Sequence, residues 1–177
     1  MISIPEDRFK EAYDAVERLI EARWGIPVII SDVLDPNTGD FDGSRIHLDH
    51  DQDLGQALFV LVHLFGHTVQ WNVSAEFRAL GQKPAALVTE HDMAAIAEYE
   101  RDATRYSLAL LHEAGVTDLD QWVSDAWAAD WRYLQNFYRT GEQGDFARFA
   151  TGDPAELLTP KPIPEFRPER WVSRWAF

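Results

Sequence analysis

Two histidines four residues apart, His63 and His67, lie in the apolar stretch Phe59-Val-Leu-Val-His63-Leu-Phe-Gly66-His67-Thr-Val. Each residue of an α-helix turns the chain by about 100°, so a four-residue step returns nearly to the same face. The two imidazoles therefore stand one turn apart and point the same way, as an H-E-x-x-H helix offers two nitrogens to one metal ion. The position after the first histidine, where such a helix carries its general base, is Leu64. The spacing speaks for a metal site. The leucine withholds the group that would make the site hydrolytic.

Two histidines need a third protein ligand. The chain has no cysteine, which excludes thiolate ligands, disulfides and thiol catalysis together. Carboxylates are the remaining source, and the helical periodicity between Glu90 and Glu113 selects among them. Met93, Ile96, Ala97, Ala103, Ser107 and Leu110 define the inward face of that segment. Glu100 falls four residues after Ile96 and three before Ala103, in the middle of the face. Glu98 and Asp102 lie about 200° away in either direction, beside Arg101 and Arg105, and are expected on the wet side. A carboxylate on an apolar stripe must be paired, protonated or metal-bound, because burying it alone is costly. His63, His67 and Glu100 are thus the expected metal ligands, with zinc the expected ion. Two histidines and a carboxylate also suit Fe(II), and without metal the same three would form a hydrogen-bonded cluster.

The elements that must position these residues follow from pattern. Ser3-Ile-Pro5-Glu6 has capping-box spacing and opens a helix whose apolar residues Phe9, Tyr13, Val16, Leu19 and Ile20 recur at three and four, until Gly25 stops it. Ile26-Pro-Val-Ile-Ile-Ser31 reads as a strand, and Asp35 to Gly43 is dense in turn formers. Ser44-Arg-Ile-His-Leu-Asp49 alternates and is expected to pair with the first strand as a hairpin. Asp49 to Asp53 supply capping acids for the histidine helix, which is apolar all round from Ala57 to Phe65 and should be central, ending near Trp71-Asn72. Gly81 to Pro84 marks a connection. The Glu100 helix stops at Gly115, and a further helix beginning after Thr117 or Asp118 carries Trp122, Trp127 and Trp131 before Gly141. Pro154, Pro160, Pro162, Pro164 and Pro168 keep the remainder irregular, and its aromatics, Phe166, Trp171, Trp175 and Phe177, are expected to pack on the body or a partner.

The strand Ile46-His-Leu-Asp49, the helix with His63-Leu-Phe-Gly66-His67, and Glu100-Arg-Asp102-Ala103-Thr-Arg-Tyr106-Ser107-Leu-Ala-Leu-Leu111 together resemble the ImmA/IrrE metallopeptidases. That family has a strand, a helix with H-E-x-G-H, and a later helix with E-x-E-A-x-x-F-A-x-x-L-L. The resemblance covers about residues 5 to 114. It implies a zincin-like core, zinc held by His63, His67 and Glu100, and a peptidase-type hydrolase acting on peptide or protein. Leu64 departs from the family's glutamate, which polarises the metal-bound water and shuttles its proton. Leucine does neither, so ordinary peptidase turnover is expected to be weak or absent. The alternative is a non-catalytic protein- or peptide-binding module on the same scaffold. The Met-Pro ending of the family's second helix is missing, and no helix-turn-helix module accompanies the chain.

The expected architecture is α+β in one domain over residues 1–177: a zincin-like core over 1–115, a tryptophan-rich helix over 116–141 and an extended tail over 142–177. Its 46 % hydrophobic residues and seven tryptophans exclude a disordered or fibrous chain. A formal charge of −14 repels phosphate backbones and anionic lipid, so neither nucleic acid nor membrane is an expected partner. The N-terminus has no basic signal-peptide region, and a cytoplasmic location is expected. Among the other polar residues, Glu90, His91 and Glu98 are candidates for a substitute base. His47 and His50 read as solvated turn residues, although the alternation around His47 would let it face a cleft. Tyr99, Tyr106 and the tryptophans read as packing, and His112 as surface.

Overall fold

The computed structural model describes residues 4–33, 37–142 and 145–172. Helix α1 spans Glu6–Trp24 and buries Ala12, Val16 and Ile20, the stripe set by its three-and-four spacing. It ends on Gly25, whose φ of 65° places it in the left-handed region that closes helices. The helix starts directly after Pro5; Ser3, the other half of the expected capping pair, lies outside the described residues.

Three short strands follow: β1 (Val28–Ser31), β2 (Gly39–Phe41) and β3 (Ile46–Asp49). The alternation in β3 holds, with Ile46 and Leu48 buried and His47 and Asp49 less so. The expected hairpin does not form. β1 pairs parallel to β3, and β2, hidden in the turn-rich stretch, takes the antiparallel place on the other side of β3, giving the order β1-β3-β2. Alternation fixes which side of a strand is buried; it is silent on which neighbour the strand meets.

Helix α2 (Leu54–Val73) is the central element, capped by Asp53, whose side chain accepts from the Gln56 amide. A short α3 (Ala75–Gly81), which the sequence pattern did not announce, turns the chain back toward α4 (Met93–Glu113). α2 and α4 pack along their length, and Gly66 sets how closely. A Cβ at Gly66 would lie within 2.9 Å of the Ala103 Cα and closer still to its carbonyl. The Ser107 hydroxyl seals the same seam by donating to the Val62 carbonyl at 2.8 Å. Helix α5 (Asp120–Thr140) then packs across α4. The described residues form an α+β fold of five α-helices and a small mixed sheet, and none of these helices is long and apolar enough to cross a membrane.

Beyond a 3-10 turn at Phe146–Phe149, residues 150–172 run along the body without helix or strand. Leu158 is buried, the Lys161 amide donates to the Arg105 carbonyl, and the Trp171 amide donates to the Asp42 carbonyl. Phe166 stacks near Trp24, and Arg78 lies 3.6 Å from the Trp171 ring centroid. These aromatics cover the chain's own surface; Trp175 and Phe177 lie outside the described residues. The segment also overturns one expectation. Asp102 is not on a wet face: it is 4 % exposed, because Lys161 of the tail and Arg105 of α4 enclose it in ion pairs. Helix periodicity cannot show that a distant segment covers the outer face.

Candidate metal centre

Two helices bring three donor atoms to one point. From α2 come Nε2 of His63 and Nε2 of His67, and from the inward face of α4 comes Oε2 of Glu100. The two nitrogens are 3.0 Å apart, and each lies 3.1 Å from the carboxylate oxygen. All three side chains are buried, at 9, 6 and 6 % exposure. The group can hold a metal ion. Four-coordinate bonds of about 2.0–2.1 Å place neighbouring donors roughly 3.3 Å apart, so the trio would open by only a few tenths of an ångström around zinc.

The outer ring nitrogens explain why the inner ones converge. Gln70 donates through Nε2 to the Tyr99 carbonyl at 2.7 Å, which turns its Oε1 toward Nδ1 of His67 at 2.9 Å. Nδ1 of His67 is thereby the protonated nitrogen and Nε2 carries the lone pair. Thr104 donates to the Glu100 carbonyl at 3.0 Å and presents its oxygen to Nδ1 of His63 at 3.4 Å. Both imidazoles are set with their lone pairs aimed at the Glu100 carboxylate. Three lone-pair donors facing one another in a buried space repel, and a cation among them is what relieves this.

Ring stacking holds the imidazoles in place. His67 lies between Phe41 of β2 and Tyr99 of α4, at centroid distances of 5.8 and 4.4 Å. His63 stacks on Phe59, one turn earlier, at 5.5 Å. The Tyr99 hydroxyl is occupied by Trp71, which donates to it at 2.9 Å.

The remaining sequence candidates divide sharply. Leu64 packs under the sheet edge: a side chain at Gly39 would meet Leu64 Cδ1 and Val60 Cγ1, each at 2.8 Å. Glu90 is exposed and paired with Arg139 at 2.9 Å, while His91 and Glu98 are also exposed. None of the three candidate substitute bases belongs to the ligand cluster. His47 does face a cleft, beside Ser31 and Arg45, with Nδ1 3.3 Å from the Ser31 hydroxyl. His50 is exposed between Asp49 and Asp51, three consecutive residues whose ligand atoms also come together, but at the surface, where water already solvates them. His112 is half-buried and meets Asp120 of α5 at 2.8 Å.

Gln70 and Thr104 were missed by the sequence reading, although each left a trace. Gln70 is a polar residue three after His67 in an apolar helix, and Thr104 is four after Glu100. Asp130 of α5 was missed entirely, since nothing in the sequence places α5 beside the histidines. Its carboxyl is pushed up to about 6 by burial, with the nearby His63 pulling down and Glu100 pushing further up. No protein-family model, curated protein or solved structure matches this chain.

Proposed function

We propose that the chain is a zinc-binding protein of the ImmA/IrrE metallopeptidase type, built on a zincin-like core to which α5 and the tail are additions. The supporting observation is the convergence of His63 Nε2, His67 Nε2 and Glu100 Oε2 within 3.0–3.1 Å of one another, with both outer nitrogens already satisfied. Cysteine-free nitrogen and oxygen donors in this number suit zinc, with a position left open for water. Bound zinc would act as a Lewis acid and acidify water at that position. His63 and His67 bind, Glu100 neutralises part of the charge, Gln70 and Thr104 fix the tautomers, and Phe41, Phe59 and Tyr99 keep bulk solvent off the imidazoles. Leu64 contributes no proton acceptor, and α2 therefore cannot perform the peptidase step by itself.

That same leucine favours a second reading, a peptide- or protein-binding module in which the metal is structural. Elemental analysis of protein purified without chelator tests the common premise. About one zinc per chain is expected, lost in both His63→Ala and Glu100→Ala. Wild-type protein that stays metal-free after zinc is added back overturns the metal reading.

A further inference from the structure

Helix α5 lies outside the resemblance, yet it places a carboxylate beside the candidate metal site. Asp130 is half-buried and, among the described residues, makes no hydrogen bond or ion pair. It lines a cleft of about 600 Å³ between α1, α2 and α5, with Phe9, Phe59, Val60, Trp122 and Tyr133 around it. Phe59 links this cleft to the candidate ligands, since it lines the cleft and its ring lies on that of His63. Asp130 is within range of the charges of His63 and Glu100. Two turns further along α5, Tyr138 shares a narrow crevice with Glu100 itself. α5 thus runs over the ligand cluster from cleft to crevice.

Asp130 is nevertheless not one of the ligands. The donor atoms of His63, His67 and Glu100 all lie within 4.8 Å of one another, and the Asp130 carboxylate is outside that group. It stands outside the ligand group and inside the range of the ligands' charges, in a cleft large enough for water and small molecules. A carboxylate held partly out of water with no partner is costly to keep. Placing such a group next to a metal site is how proton acceptors are made available near neutral pH.

We propose that Asp130 is the proton acceptor of this site, supplied from α5 in place of the glutamate that Leu64 displaces from α2. Water entering from the cleft gives one proton to an Asp130 Oδ: one O–H bond of the water breaks, one O–H bond forms on the carboxylate, and the oxygen keeps the electron pair. The titratable groups around Asp130 are His63 of α2, Glu100 of α4, Tyr133 of α5 and, lining the same cleft, Asp53 at the start of α2. The inference rests on the metal reading above, and its test separates the two.

Acetohydroxamic acid is a suitable probe, because it binds zinc as the anion and its O–H proton must pass either to a base in the site or to solvent, which pH dependence tells apart. Zinc content and acetohydroxamate affinity are measured for zinc-loaded wild type, Asp130→Asn and Asp130→Glu, the affinity by calorimetry across about pH 5 to 8. Full zinc content in all three is expected, with affinity lowered roughly tenfold or more in Asp130→Asn and largely retained in Asp130→Glu. The wild-type affinity should also fall on the acid side, where the carboxylate already holds a proton, and level off above it, while that of Asp130→Asn, whose proton must leave to solvent, should keep rising with pH. Loss of zinc from Asp130→Asn would make Asp130 a ligand and overturn the proposal. Equal affinity in wild type and Asp130→Asn, or no acetohydroxamate binding by zinc-loaded wild type, would overturn it while leaving the metal site intact. Failure of wild type to take zinc at all would remove the metal reading, and this proposal with it.

Discussion

Gly66 is where a single side chain decides whether the three candidate ligands can meet. His63 and His67 reach Glu100 because α2 and α4 touch backbone to backbone at Gly66 and Ala103. A methyl group there meets main chain rather than the tip of a movable side chain, so the helices must separate. Gly66→Ala is expected to cost about 1–3 kcal/mol, the range for overpacking a tight core, and to weaken zinc binding as Glu100 retreats from the imidazoles. Urea unfolding and a competitive zinc titration read the two effects. Unchanged stability would mean that the seam has slack. Gln70 works differently, through orientation: its bonds to Tyr99 and His67 fix the tautomer, a task that leaves only a polar residue in an apolar helix as its sequence trace.

Among the elements, α4 carries the candidate ligand Glu100 on one face and a structural ion pair on another. Glu100 faces α2, while Asp102, about 200° around the helix, meets Lys161 from the tail and Arg105 from the next turn. Lys161→Ala would leave Asp102 buried with Arg105 alone, at a cost of about 1–3 kcal/mol, the range for a buried group that loses its partner. The loss should be evident by thermal or urea unfolding. A near-zero effect would show that Arg105 suffices. The periodicity of α4 located Glu100 correctly, since the inward stripe is a property of the helix itself. It misplaced Asp102, since the covering segment arrives from 59 residues further along the chain. The sheet gives a parallel case: the pattern of Ile46 and Leu48 set the buried side of β3, but the pairing partner depended on β2 in between.

At the scale of the whole molecule, the tail ties together elements that are far apart in sequence. Its main-chain bonds run from Lys161 to Arg105 on α4, from Glu169 to the Asn72 side chain on α2 and from Trp171 to Asp42 beside the sheet. With Leu158 buried and Phe166 against Trp24, the segment should open with the body rather than peel off. The amides of Lys161 and Trp171 are therefore expected to exchange with solvent on the order of 10³-fold more slowly than free-peptide amides, as native-state opening free energies of core segments imply. Hydrogen exchange followed by mass spectrometry checks this, and free-peptide rates at both positions would mean a tail that opens independently. What the sequence by itself determined was local: the four long helices, the four-residue spacing of His63 and His67, the inward placement of Glu100 and the exclusion of thiolate chemistry. These depend on residue types and on periods of two or 3.6 residues, which short-range sterics impose. Only the tertiary structure decided that β1 lies parallel to β3, that Lys161 buries Asp102, and that α5 brings Asp130 to the cleft side of His63. Each of these joins residues tens of positions apart, and their meeting is set by how apolar faces pack together, a quantity no local period records.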